Sequence, residues 1–242
     1  MASSPTSCAY TQLPDVTNQA FLDELSVKHA HMRLMCSPIR FAQMIYGLDD
    51  KHLKVICTQT GLGGLTKMKS VSLRRIMLVL LAKSYIHDMQ SIHIACKDIS
   101  ITPTDVYQLM DLPIEGENIY MEMGKPKDAN LLRAYQTDGR HKLSDLEYKI
   151  KASKTPDDHF IRRFVLYAIG IILAPTVQDY VDSKYFVLVE DVARIPKFNW
   201  GCFTLNHLIT SINTFNQVNL QGNLALLQVS ATTLVVIRLF FV

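Results

Sequence analysis

Cysteine is scarce and unpatterned in this chain: Cys8, Cys36, Cys57, Cys96 and Cys202, with no CxxC pair. An odd count at such spacing excludes a disulfide framework and a paired-thiol zinc knuckle, and reads as reduced intracellular thiols. Neither sign of charge dominates. The 25 Lys/Arg residues against 22 Asp/Glu leave a formal net charge of +3, too balanced to argue nucleic-acid binding from charge. Met1–Leu13 holds neither an arginine nor an apolar core, which excludes a secretory signal and disfavours a transit peptide. Internal repeats and long low-complexity linkers are also missing. With 48% hydrophobic and 19% charged residues over 242 positions, the chain has the material for one large packed domain or two small ones, not for disorder over most of its length.

Helix signals dominate what is there. Ser37-Pro38 fits a helix start, with proline where its missing N–H costs nothing. Leu53–Thr60 reads as a short helix stopped by Gly61-Leu62-Gly63-Gly64. Leu73–Tyr85 carries Ile76, Met77, Val79, Leu80 and Leu81 at helical spacing, yet Arg74 and Arg75 occupy its first turn, the unfavourable end for cations. Ser91–Ala95 alternates as a short strand that Ile99–Ile101 can pair with. Thr102-Pro103-Thr104-Asp105 is a capped helix entry, ended by Leu112-Pro113. Glu115–Asp128 reads as a loop, and Lys142–Lys151 as an exposed amphipathic helix. From Thr155-Pro156-Asp157-Asp158 a helix apolar on two faces runs to Ala174-Pro175, which places it centrally in the core. A last long helix spans Asn199–Phe215, with Trp200, Phe203, Leu208, Ile212 and Phe215 inward.

Patterns that carry chemistry are weak. Gly61–Gly64 with Thr66-Lys67 lacks the order of a phosphate-binding loop and reads as a structural turn. His87, Asp88, His93 and Cys96 are too loosely spaced for a zinc set, and His29 and His31 read as surface residues. Around Cys36, Cys57 and Cys202 nothing resembles an activated nucleophile. Asp157-Asp158 suits a helix start. Arg162-Arg163 is the sharpest candidate: adjacent arginines on so apolar a helix need partners or exposure. They either contact phosphate or another partner, or pair internally with Glu190 or Asp191, and the internal pairing is the favoured reading.

Ile161-Arg162-Arg163-Phe164, Gly170, Ala174-Pro175-Thr176 and Tyr180, followed by Asn199-Trp200, Phe203, Leu208, Ser211-Ile212 and Phe215, form an ordered series that resembles the plant mobile domain, also called the aminotransferase-like plant mobile domain. The resemblance covers roughly residues 28–228. Its "Gly-Leu-Pro" turn reads here Met110-Asp111-Leu112-Pro113, where Asp111 tolerates the left-handed backbone in place of glycine. Its late Gly-Cys-Leu…Leu-Gln pattern reads Gly222-Asn223-Leu224…Leu227-Gln228. Related sequences precede Ulp1-type cysteine protease domains in transposon-derived plant proteins.

The expected fold is therefore mainly α: a single helical domain over 26–228 with at most a small β hairpin, a flexible leader over 1–25, and an apolar tail over 229–242. The tail reads as a core-docking segment or as translated intron, since Val229-Ser230 can be encoded by a strong splice donor. The resemblance implies a non-enzymatic interaction or scaffold module in the nucleus, tied to transposition or silencing, with a protein partner or chromatin and without cofactor or metal. Phe164, Gly170, Pro175, Thr176, Tyr180, Trp200 and Phe203 are then fold determinants. The alternatives are the N-terminal part of a Ulp1-like protease whose catalytic domain is absent, and a protein anchored to a membrane by its C-terminal tail. Gln228, Asn223 and Arg238 interrupt that tail, so an artefactual or core-docking tail is favoured over an anchor.

Overall fold

The computed structural model describes residues 19–94, 97–215 and 218–240, the side chains at 19, 21, 22, 25, 97 and 234–240 excepted. Helix α1 (Gln19–Lys28) and strand β1 (Arg33–Leu34) lead into α2 (Pro38–Tyr46), which starts where Ser37-Pro38 predicts. Helix α3 (Asp50–Gln59) begins earlier than its apolar pattern does. Asp49 caps it by accepting from the His52 amide at 3.0 Å. The glycine turn follows, with Gly61 at φ +69. Gly64 lies so close to the end of α5 that a Cβ there would come within 2.0 Å of the Met110 carbonyl oxygen. The glycines therefore serve packing and turn geometry.

Helix α4 (Arg75–Lys83) precedes an antiparallel meander of β2 (Tyr85–Ile86), β3 (Ser91–Ile94) and β4 (Lys97–Ile99). Helix α5 (Pro103–Met110) opens on a reciprocal capping box. The Thr102 hydroxyl accepts from the Asp105 amide at 3.3 Å, and the Asp105 carboxylate accepts from the Thr102 amide at 2.7 Å. It closes on Asp111 at φ 51, ψ 42, the left-handed conformation expected for the residue standing in for glycine. Next come α6 (Ile119–Glu122), α7 (Ala129–Arg133), β5 (His141–Lys142), α8 (Leu143–Lys151) and α9 (Asp158–Ala168). Helix α9 runs on into a π turn, Ile169–Leu173, closed by the Ala174 amide donating to the Ile169 carbonyl at 2.8 Å. Strand β6 (Tyr180–Val181), α10 (Val187–Glu190), α11 (Trp200–Asn213), β7 (Asn219–Leu220) and α12 (Leu224–Phe240) complete the described residues.

The mainly α expectation holds, but the strands exceed one hairpin. Beside the meander, β1 pairs with β7 in parallel and β5 with β6 antiparallel. Two-residue strands show no alternation to read, and Arg33 pairs with Asn219 across nearly the whole chain. The Glu115–Asp128 stretch is not all loop. It holds α6, capped by Asn118, whose side chain accepts from the Tyr120 amide at 3.0 Å, and α6 buries Ile119. A single turn among Gly, Pro and charged residues is invisible to periodicity and exists because Tyr120 packs on Phe203, ring centroids 5.6 Å apart.

The core is built around α9 and its π turn. Phe160, Ile161, the run Phe164–Ile169 and the run Ile171–Ala174 are all buried. Phe164 meets Phe41 at 6.2 Å and Phe160 at 6.3 Å, and Tyr167 stacks on Phe41 at 6.1 Å. Helix α11 packs Trp200 and Phe203 edge to face at 6.1 Å. The buried Trp200 indole donates to the Ile195 carbonyl at 3.0 Å, as a buried indole N–H requires. Thr204 donates to the Leu173 carbonyl at 2.6 Å, satisfying an oxygen that the π turn leaves free. Helix α12 docks on α4 and α5, and it continues through Gln228 with Ser230 and Ala231 buried. Among the described residues no helix is long and apolar enough to cross a membrane.

Two predictions follow from this packing. Gly64→Ala forces a methyl group onto backbone, so it should lower unfolding free energy by about 3 kcal/mol or more. Gly124, with nothing within 4 Å of its Cβ position, should tolerate alanine within about 0.5 kcal/mol. Urea denaturation of both variants reads the difference.

His141 on β5 is fully buried, its ring parallel to Phe186 at 5.4 Å. Its Nδ1 donates to the Tyr135 carbonyl at 3.1 Å, and its Nε2 has no partner. Burial lowers its pKa, as it does for His207 and His29. The folded pKa lies below the unfolded value of about 6.5. This contribution to stability is therefore complete above that value and is lost as pH falls toward the folded pKa. Thermal melts between pH 8 and pH 5 should show the loss, and His141→Phe should flatten but not abolish it. An unchanged pH dependence in His141→Phe would remove His141 from this account.

Candidate functional site: an acidic cleft around Arg162

The two arginines of α9 sit at the positions where this otherwise buried helix reaches the surface. Arg162 is turned toward α10. Its Nε donates to the Val189 carbonyl at 3.0 Å, and a terminal nitrogen donates to the Glu190 carbonyl at 3.3 Å. The same guanidinium lies 3.5 Å from the Asp158 carboxylate, one helical turn back. Internal pairing is thus what the geometry shows for Arg162, with one refinement: the partner at Glu190 is its main-chain oxygen. The Glu190 carboxylate instead accepts from the Lys127 and Asp128 amides at 2.6 and 3.0 Å. Asp191 accepts from the Ala193 amide at 3.0 Å, and Asp157 caps α9 through the Phe160 amide at 2.8 Å.

Arg163 shares Tyr135 with Arg162, which also interacts with the Tyr135 hydroxyl. The Arg163 guanidinium carbon stands 5.4 Å over the Tyr135 ring, and its buried Nε has no partner. The Tyr135 hydroxyl meets His159 Nδ1 at 2.5 Å. Burial raises the Tyr135 pKa, against the opposing effect of both arginines.

Around Arg162 opens a cleft of about 480 Å³, lined by Thr58 and Gln59 of α3, Asp158 and Arg162 of α9, Glu190 and Asp191, and Val192, Ala193 and Pro196. Three acidic residues, Asp158, Glu190 and Asp191, line the cleft with one guanidinium that is already hydrogen-bonded, so the cleft is acidic on balance. Such a surface favours a cationic or hydrogen-bonding segment over a phosphate. The sequence singled out Arg162, Glu190 and Asp191 but not Thr58 or Gln59, because nothing local marks the end of α3 as part of a site.

The remaining residues named from sequence are architectural in place. A Cβ on Gly170 would meet Leu143 Cδ2 at 2.6 Å and Val181 Cγ2 at 2.8 Å. The Pro175 carbonyl accepts from His207 Nε2 and the Gly222 amide, both at 3.3 Å. The Thr176 hydroxyl accepts from the Gln178 amide at 3.4 Å. Tyr180 pairs with Lys142 and lies under the Arg140 guanidinium at 4.8 Å. Phe164, Trp200 and Phe203 fill the core as described. Asn223 is fully buried and caps α12 through the Leu226 amide at 3.0 Å.

Cysteine and histidine divide differently. Cys36 is buried and its thiol pKa is pushed up to about 11, which leaves it protonated and unreactive at neutral pH. Cys57 and Cys202 are free thiols without a histidine partner. Cys8 and Cys96 lie outside the described residues. His93 bonds Asp98 at 2.8 Å, and among the described residues no three His, Cys, Asp or Glu side chains could hold a metal ion. His29 departs from expectation. It is buried, with Nε2 3.1 Å from the Lys83 ammonium, because α1 folds back on α4, while His31 is exposed as read.

A helical domain with a polar cleft at the junction of α3, α9 and α10 defines the class. Residues 34–228 match the family described as a domain of unknown function (DUF8566), and the chain belongs to that family. It is also 24% identical to Protein MAIN-LIKE 1 of Arabidopsis thaliana over 202 residues, covering 75% of this chain and 40% of that protein. Protein MAINTENANCE OF MERISTEMS of the same plant is 22% identical over 196 residues, covering 74% of this chain and 41% of that protein. Protein MAIN-LIKE 2 is 24% identical, covering 75% and 30%. These relatives are plant mobile domain proteins, and the chain spans less than half of their length. No solved structure matches.

Arg162→Ala should cost about 2 kcal/mol, because it strands two carbonyls that Arg162 now satisfies. Arg162→Lys should recover only part of this, since one ammonium cannot reproduce the two-nitrogen fork. Equilibrium urea unfolding distinguishes these outcomes from a purely peripheral role, for which both variants would match the parent.

Proposed function

We propose that this chain is a non-enzymatic interaction module that works in the nucleus on a chromatin-associated protein partner. The observation that carries it is the commitment of the cleft's polar groups. Arg162, Glu190 and Asp191 each use their hydrogen-bonding capacity on the fold, and what they leave outside is a concave, preformed, acidic surface. A surface of that kind recognises shape and charge at a partner's rim rather than activating a reacting bond. Likeness to the MAIN-type proteins supports the plant mobile domain reading, and the resemblance to transposon-derived proteins supports a role in transposition or silencing.

The partner segment fitting the cleft carries lysine or arginine. The test is a tagged full-length chain in plant cells, fractionated and chemically cross-linked, beside Gln59→Arg, which places a cation on the exposed rim. The expected outcome is a nuclear chain with cross-links from a protein partner to the α3 and α10 rim, and loss of those cross-links in Gln59→Arg. Recovery of the same partner by Gln59→Arg, or absence of the chain from the nuclear fraction, would contradict the reading.

A further inference from the structure

Among the described residues seven lysines and arginines have an acid beside them, Arg162 with Asp158 included. Arg40 and Lys151 share Glu147, Lys67 pairs with Asp111, Lys142 with Asp138, Lys184 with Asp182, and Arg194 with Glu117 and Glu122. Four of the remaining cations lie on α1 and on or just before α4. Lys28 at the end of α1, and Arg74, Arg75 and Lys83 on and before α4, are exposed and make no ion pair among the described residues.

Distant parts of the sequence bring them together. Arg75 donates to the Ala30 carbonyl at 2.9 Å, tying α4 to the turn after α1, and Lys83 reaches the buried His29 from the other end of the helix. Gln228 of α12 clamps the approach to α4, accepting from the Arg74 amide at 2.7 Å and donating to the Ser72 carbonyl at 3.0 Å. Between α1 and α4 lies a pocket of about 340 Å³ lined by Ser26, His29, Ala30, Arg74, Arg75 and Ile76. The acids of α1, Asp23 and Glu24, are not among its lining residues. Like charges held together cost stability unless an anion is the intended neighbour, and Arg74 and Arg75 also stand at the helix end that favours anions. Lys83 feels this directly: burial and then the Lys28 charge lower its pKa.

We propose that this pocket and its rim bind the phosphate backbone of a nucleic acid. Arg74 and Arg75 hold one phosphate at the pocket, and Lys28 and Lys83 carry neighbouring ones. The span favours a strand over a lone phosphate. Arg75 and Lys83 stand about 12 Å apart along α4 at 1.5 Å per residue, and one strand of a duplex carries a charge roughly every 3.4 Å of axis. With all four cations assigned to phosphates, recognition is independent of sequence. This inference does not rest on the Arg162 cleft, which lies on other elements, and either can fail alone.

The test is fluorescence anisotropy of the full chain with labelled 20-nucleotide random-sequence DNA, single-stranded and duplex, between 50 and 200 mM salt. Four phosphate contacts predict a log–log salt slope of about −3 to −4. Arg74→Ala/Arg75→Ala should weaken binding at least about tenfold at 50 mM salt and remove about two units of that slope. Lys149→Ala/Lys154→Ala, on and after α8, should change neither. Arg74→Gln/Arg75→Gln keeps a donor for the Ala30 carbonyl while removing the charge, and it replaces the alanine pair if circular dichroism shows that pair unfolded. Three results overturn the proposal: no salt-dependent binding by the parent chain, equal affinity in a folded double variant, or full displacement by millimolar inorganic phosphate, which would make the pocket a free-phosphate site.

Discussion

A helix buried on nearly every side can carry charge only where the protein itself supplies the partner, and α9 is that helix. From Phe160 to Ala174 its side chains are buried apart from Arg162, Arg163 and Gly170. Burying side chains of this size contributes roughly 1.5–3 kcal/mol each, and that large apolar driving force fixes where the guanidinium groups emerge. Arg162 is held there by the Val189 and Glu190 carbonyls and the Asp158 carboxylate. That arrangement binds α10 to α9 and creates the floor of the acidic cleft. Gly170 extends the same constraint, since a Cβ there would push against the Leu143 and Val181 side chains.

Two surfaces with opposite character result. The cleft at α3, α9 and α10 is acidic because its only cation is consumed internally. The α1–α4 pocket is basic because two arginines and no carboxylate line it. A net charge of +3 conceals this segregation, since net charge sums over faces that point in different directions. A basic partner segment at one face and a polyanion at the other would let one rigid domain bridge a protein to nucleic acid, as a scaffold on chromatin would.

Much of the fold was legible in the sequence. Thr102-Pro103-Thr104-Asp105 announced the capped start of α5, Asp111 the left-handed stop, Asp157-Asp158 the start of α9, and the two apolar faces of α9 its central position. These are local signals, each set by residues within a turn of one another. What escaped was non-local. Arg33 and Asn219 pair across the chain, α6 exists because Tyr120 leans on Phe203, and His29 is buried because α1 returns to α4. The site divides the same way. Arg162 stood out through the conflict between charge and its apolar surroundings, and Arg74-Arg75 through the wrong helix end. Thr58, Gln59, Lys28 and Lys83 join these sites only through tertiary contact.

The claim on which the rest depends is that α9 and its π turn are the most stable part of the molecule and that Arg162 is fastened to it. Native-state hydrogen exchange reads this directly, because amides that open only on global unfolding mark the stable centre. The account predicts that the amides of Phe164–Leu173 exchange last, with those of α11, at the free energy of global unfolding. Helix α7, which buries no residue, should exchange far earlier. Exchange of Phe164–Leu173 at the rate of α7 would contradict the account, because the arginines would then sit on a locally opening helix and the cleft would not be preformed.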